Sequence, residues 1–347
     1  MTDQTNDRKI EHIRAIEKDA ATDRDGRYFD RIHLMHRALP DVALDQIDTS
    51  VEFLGKKLSF PLLISSMTGG DHELIRTINR NLAIAAEQTG VALAVGSQRV
   101  MFTQPGARVS FELREYAPTT VLCGNVGAVQ LNYGFDLAKC QEAVDCLGAD
   151  ALYLHLNPLQ EAVQPEGDTD FSRLTDRIAE VTDHLSVPVM FKEVGCGLSP
   201  QDIEAGLKMG IKHFDLAGCG GTSWSRIEYH RVRDSRDDLG LKFQDWGIPT
   251  PLALRLAEPY QQQADFIASG GLRDGIDMIK SVILGASICG MATPFLKPAM
   301  ESADAVVQVI EQIRREFTTA MFLLGMSDIN SVYMNRALIL SEGEDRN

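Results

Sequence analysis

The sequence predicts an α/β protein built on a (β/α)8 TIM barrel, with a polar N-terminal arm and an insertion after strand six. Three observations carry this. From residue 60 onward, short apolar runs of strand length alternate with longer stretches of helical period. Strands that alternate with crossover helices build a parallel sheet, and the eight strand-length runs in this chain are the number that closes a barrel. No GxGxxG follows the first run, which argues against an open dinucleotide-binding sheet.

Residues 1–50 are polar and charge-rich and read as an arm carrying a short helix over 7–19. The barrel then occupies 51–347, with strands expected at 60–65, 91–96, 120–125, 151–157, 188–193, 213–217, 265–269 and 287–291. Helical periodicity places helices at 73–89, 137–147, 171–184, 200–209, 251–262 and 273–284, and a last one at 302–324. Asp71 and His72 stand where the first of these would be capped. Residues 220–249 are rich in Arg and Asp, lack an apolar period, and read as a surface excursion.

Composition narrows the function. The 347 residues hold 34 Lys and Arg against 49 Asp and Glu, a net charge of −15. Such a surface does not suit nucleic acid or an anionic membrane, both of which need excess positive charge. A small anion in a basic pocket remains open. Hydrophobic residues make up 44%, enough at this length to bury a core without disulfides or a structural metal. The six cysteines include no CxxC pair, so a zinc ribbon or thioredoxin-type site is not expected, and reduced thiols fit a cytoplasmic protein. The N-terminus shows no apolar signal-peptide core, and no run approaches the ~20 residues of a membrane helix.

In such a barrel, chemistry collects at the C-terminal ends of the strands. Those ends read SSMTGG (65–70), GSQR (96–99), GNVG (124–127), HLNPLQE (155–161), KEVGCG (192–197), AGCGGTSW (217–224), ASGGLRDG (268–275) and GASICGMATPF (285–295). Gly270–Gly271, with Gly285–Ala286 and Gly220–Gly221–Thr222, suggests a phosphate cradle, because glycine lets backbone N–H groups approach an anion closely. Lys192 ends the fifth strand on the face of Met190. A lysine there can hold an anionic cofactor group, act as a Schiff-base nucleophile, or pair with a carboxylate. His155 and Asn157 share one face of strand four, with Gln160 and Glu161 just beyond. Glu161 is of a type that binds Mg²⁺ together with phosphate oxygens, although a lone loop glutamate is ordinarily just solvated. Arg8, Lys9 and His12 lie on the arm, where physics alone makes them a solvated face. Trp224 and Trp246 flank the insertion and can pack it down or cover a ligand.

The ordered set RKIEHIR (8–14), SMTGG (66–70), GSQR (96–99), HLNPLQE (155–161), KEVGCGLS (192–199), GGTSW (220–224), DWGIPT (245–250), SGGLRDGIDMIK (269–280) and LGASICGMATPFL (284–296) resembles the type 2 isopentenyl-diphosphate isomerases, from Arg8 to about Gly325. The resemblance implies an FMN-dependent barrel that interconverts isopentenyl and dimethylallyl diphosphate, with reduced FMN as general acid–base, Mg²⁺ on the diphosphate, and NADPH as flavin reductant. It implies flavin contacts from Ser66, Met67, Thr68, Gly69, Ser97, Asn125, Lys192 and Thr222, and a flavin-phosphate site at Gly270, Gly271, Gly285 and Ala286. Arg8, Lys9, Ser97, Gln98 and Arg99 look like diphosphate contacts, His155, Asn157 and Gln160 like substrate-pocket residues, and Glu161 like the Mg²⁺ ligand. A homo-tetramer or homo-octamer is also implied. The leading alternative on the same barrel is an FMN-dependent oxidase or dehydrogenase of a small hydroxy acid. A Schiff-base lyase using Lys192 and a non-catalytic phosphate-binding barrel stand behind it.

Overall fold

The computed structural model describes residues 4–24, 26, 28–232 and 237–343, with side chains from Lys9 onward. Eight parallel strands close into a barrel: β1 (Leu62–Ile64), β2 (Ala92–Ala94), β3 (Leu122–Gly127), β4 (Ala151–His155), β5 (Val189–Lys192), β6 (His213–Asp215), β7 (Asp265–Ser269) and β8 (Ile288–Met291). Each pairs with its sequence neighbour, and β8 pairs with β1 to close the ring. The longer helices are α1 (Gln4–Lys18), α2 (Glu73–Thr89), α3 (Leu137–Leu147), α4 (Pro158–Val163), α5 (Leu174–His184), α6 (Pro200–Lys208), α7 (Trp224–Tyr229), α8 (Thr250–Ala257), α9 (Gly275–Ile283), α10 (Thr293–Glu301) and α11 (Ala303–Leu324).

Strand alternation separates two apolar layers. Leu63, Ala92, Ala94, Cys123, Ala151, Tyr153, Met190, Ile267 and Ile288 fill the barrel interior. Their neighbours Leu62, Ile64, Leu93, Leu122, Leu152, Leu154, Phe191, Phe214, Phe266 and Cys289 belong to the larger cluster shared with the helices. The hairpin Val51–Phe53/Lys56–Leu58 adds Phe53 and Leu58 to the interior layer, so the N-terminal end is plugged and the C-terminal end is left as the mouth. Most strands are shorter than expected at their C-terminal ends, because the chain there leaves the ladder to form the mouth. Ala217, just past β6, has φ of +40°, a left-handed conformation that a residue with a Cβ seldom adopts.

The arm is stitched across this mouth. Arg24 N–H donates to Gly221 O at 3.0 Å, and Ser223 N–H donates to Thr22 O at 2.7 Å. The reading of 220–249 as a surface excursion holds for its second half, where Asp238, Lys242, Asp245 and Trp246 are exposed, and is corrected for its first, where Ser223, Ser225, Ile227 and Glu228 are buried. Charge density misled because Glu228 is charged and yet fully enclosed by partners from other elements. No helix among the described residues is long and apolar enough to cross a membrane.

Candidate active site

One pocket occupies the mouth. Every barrel strand contributes to its rim, together with α1 and α7. Of the residues singled out in the sequence, Lys9, Ser66, Met67, Thr68, Ser97, Asn125, His155, Gln160, Lys192, Thr222, Gly270 and Gly271 line it.

On one wall, Asn125 Nδ2 donates to Ser66 Oγ at 2.8 Å and to Val95 O at 3.1 Å. A carbonyl only accepts, so the amide orientation is fixed and Asn125 Oδ1 is the acceptor for His155 Nδ1–H at 2.7 Å. In the neutral ring that leaves Nε2 as the acceptor. Next to it, Gln160 Nε2 donates to Glu228 Oε1 at 2.8 Å. The same oxygen lies 3.0 Å from His12 Nε2, and Arg231 reaches the other carboxylate oxygen at 2.6 Å. Burial alone would raise the Glu228 carboxyl, but the bond and charge of His12 and the charge of Arg231 outweigh it and hold it down at about 2. Trp224 packs edge-on to His12, ring centres 5.2 Å apart, and lines the pocket.

Glu161 is buried behind this wall rather than on the pocket lining. Its carboxylate accepts from Asn157 Nδ2 at 2.9 Å and from Asp168 N at 2.7 Å, and from Gln164 Nε2. Asp168 in turn binds Arg99 Nη1 at 2.7 Å. Asn157, Glu161 and Arg99 thus form one polar cluster beside the pocket. Among the described residues no group of three or more His, Cys, Asp or Glu could hold a metal by itself.

Lys192 rises from β5 into the floor, its Nζ 3.2 Å from Asp215 Oδ2 and donating to Glu193 O at 3.0 Å. Glu193 points the other way. Its Oε2 accepts the backbone N–H groups of Val194, Gly195, Cys196 and Gly197 and so shapes the turn after β5. Burial pushes the Glu193 carboxyl up to about 7, against those N–H groups, which pull it down. A folded-state value above the unfolded one means that folding takes up a proton between the two. The stability contributed by Glu193 therefore falls as pH rises from about 4.5 to about 7 and levels off above that. The Tm advantage of wild type over Glu193→Gln is expected to shrink across that window in pH-resolved thermal melts. A gap that is constant or widens with pH would contradict the assignment.

FMN fits this pocket. Ser65 Oγ and Thr68 Oγ1 line it as buried hydroxyls without a hydrogen-bond partner, the condition a polar ligand would relieve. Gly270 and Gly271 adopt φ of +92° and +87° and bring backbone to the rim. Thr222 and Thr293 face each other beside them with hydroxyl oxygens 3.5 Å apart.

The structure does not bring Gly285 and Ala286 there. They precede β8 and lie at the opposite, N-terminal end of the barrel, where Gly285 sits against Gln261 and Met334. The residues after β8, Ala292 and Thr293, take that place on the pocket. Gln98 is fully buried, accepting Asn125 N–H at 3.0 Å and donating to Ala143 O at 2.8 Å, so it braces β3 and faces no ligand. Gly69 lies off the lining against the Phe111 ring. Arg8 is in α1, but its side chain lies outside the described residues. Sequence reasoning missed Glu228, Asp215, Ser65 and Thr293 as parts of the site. The first two sit in motifs (IEYH, HFDL) whose neighbours are apolar or loop-like, so only tertiary contact reveals them.

The comparisons agree with this picture. A family model described as FMN-dependent dehydrogenase matches residues 2–103 and 146–339. An isopentenyl-diphosphate delta-isomerase from Paracoccus zeaxanthinifaciens is 59% identical over 336 residues, 96% of each chain. One from Hydrogenovibrio crunogenus is 57% identical over 334 residues, 96% of this chain and 97% of its own. In fold, the chain is similar to a flavocytochrome b2 variant (TM-score 0.67, 18% identity, 100% of this chain and 82% of that one). It is also similar to a mandelate oxidase variant (TM-score 0.62, 16% identity, 95% and 91%).

Proposed function

The chain belongs to the isopentenyl-diphosphate delta-isomerases, within the FMN-dependent dehydrogenase family, and from that premise we propose that it interconverts isopentenyl and dimethylallyl diphosphate with reduced FMN and Mg²⁺. The observation that carries the reading is the meeting, in one mouth, of a strand-end lysine, a two-glycine turn and the His155–Gln160 wall.

Moving the double bond adds a proton at one carbon and removes one from an allylic carbon, with no net electrons. Reduced FMN would supply the acid–base group at the reacting carbons. The Lys192 ammonium at the floor would stabilise negative charge on the flavin, Ser65 and Thr68 would hydrogen-bond it, and Gly270, Gly271, Thr222 and Thr293 would hold its phosphate. Lys9, Arg8 and Arg99 would supply cations for the diphosphate, and Glu161 would be the protein ligand to Mg²⁺. Asn157 and Glu228 orient the Gln160 amide, which would face the substrate beside His155. Ile13, Met67, Trp224 and Leu296 give the pocket its apolar lining, which would keep water from trapping a cationic intermediate. The same reading takes NADPH as the flavin's reductant, a homo-tetramer or homo-octamer as the assembly, and the cytoplasm as the compartment.

Hydroxy-acid oxidation fits less well. It would need a guanidinium for the substrate carboxylate, and Arg273, the one guanidinium on the described lining, donates to Asp23 Oδ1 at 2.6 Å and to Gly220 O at 3.2 Å. An anaerobic assay distinguishes the two. Isopentenyl diphosphate should be converted when the flavin is reduced, and lactate or another small hydroxy acid should fail to bleach the oxidised flavin. Bleaching by the hydroxy acid without any isomerisation would reverse the assignment.

A further inference from the structure

Asp215 does not line the pocket, yet it holds two residues that do. β5 and β6 pair Lys192 directly with Asp215. Met190, two residues before Lys192, lies in the barrel interior, so the lysine points inward as well. Asp215 is fully buried beneath the floor. Its Oδ1 accepts the Ser269 hydroxyl of β7, and its Oδ2 lies 3.2 Å from Lys192 Nζ. The Lys192 ammonium also stands over the Tyr153 ring, 5.6 Å from its centre. Four adjacent strands, β4 to β7, thereby fix the height and direction of one ammonium group.

We propose that Asp215 is a positioning residue. It pins the Lys192 ammonium and the Ser269 hydroxyl at the pocket floor, and through Lys192 it sets the affinity for FMN and the reduction potential of the bound flavin. A buried carboxylate is costly without a cation, and a buried ammonium is equally costly without an anion. Each residue therefore holds the other in a geometry that neither would keep alone. This inference rests on the FMN reading of the pocket.

The test is a double-mutant cycle on Lys192→Met, Asp215→Asn and the pair, reading the FMN Kd by fluorescence quenching and the flavin midpoint potential by anaerobic titration. Each single change is expected to weaken FMN binding by about tenfold and to move the midpoint, while the double variant binds no more weakly than Lys192→Met. The deciding comparison is between Lys192→Met and the double variant, which leaves no charge unpaired and so stays informative if Asp215→Asn misfolds. Additive losses would overturn the inference. So would a lowered Tm in Asp215→Asn with Kd and midpoint unchanged, because that is what a purely structural ion pair produces. Failure of the wild type to bind FMN would remove the pocket reading and this inference together, whereas additivity would remove only the latter.

Discussion

Glu161→Gln is expected to lower isopentenyl diphosphate turnover by at least about a hundredfold at a fixed Mg²⁺ concentration while leaving FMN bound. The carboxylate is already oriented by N–H donors from Asn157, Gln164 and Asp168. On the proposed reading, those donors hold it in place for the cation. The amide removes the charge and places an NH2 group where a donor already points. Because Glu161 lies behind the pocket wall, the flavin contacts on the far side should not move. A Mg²⁺ titration of activity, run beside an FMN titration, checks both halves. An unchanged Mg²⁺ dependence would reject the metal role, and parallel loss of FMN would show that the substitution had collapsed the pocket.

The second large effect is expected at Gly270. Its φ of +92° is left-handed, and a Cβ there would lie 2.0 Å from Gly218 O. The turn is also clamped from below, where Thr250 Oγ1 donates to Ser269 O at 3.0 Å and to Gly270 O. The turns after β6 and β7 are joined directly by Gly218 N–H, which donates to Ser269 O at 2.9 Å, and Thr250 N–H donates to Cys219 O of the β6 turn at 3.3 Å. Gly270→Ala is therefore expected to weaken FMN binding by about a hundredfold or more and to cost about 2–3 kcal/mol in stability, from strain at positive φ added to the clash. Gly134→Ala is the control. It has φ of +86° but no atom within 4 Å of the added Cβ, so it should lower Tm modestly and leave the FMN Kd alone. Near wild-type FMN affinity in Gly270→Ala would contradict the cradle.

The barrel was readable because its signal is periodic. Interior and exterior residues alternate along strands such as Tyr153–Leu154 and Met190–Phe191, and the loops between carry turn residues. The strand-end positions of Lys192 and His155 followed from the same alternation, whereas Asn125 was singled out only by the family resemblance. Residues whose role depends on a distant partner did not. Glu228 meets His12 across 216 positions, and Asp215 meets Ser269 across 54, with no local pattern marking either. Gln98 shows the converse. It sits in a strand-end motif, yet its side chain turns into the layer between β3 and α3 and bonds Ala143. The Gly285–Ala286 pair failed for a topological reason: a phosphate loop follows strand eight, and that pair precedes it. The residues after β8 that line the pocket are Ala292 and Thr293, whose types carry no such signal in the sequence.

The most direct test of the account is NMR of the protein with FMN, Mg²⁺ and isopentenyl diphosphate in D₂O under anaerobic conditions, comparing reduced with oxidised flavin. The account predicts dimethylallyl diphosphate only with reduced flavin, with deuterium in the product and no reductant consumed per turnover. Equal turnover with oxidised flavin, or reductant consumed in step with product, would contradict it.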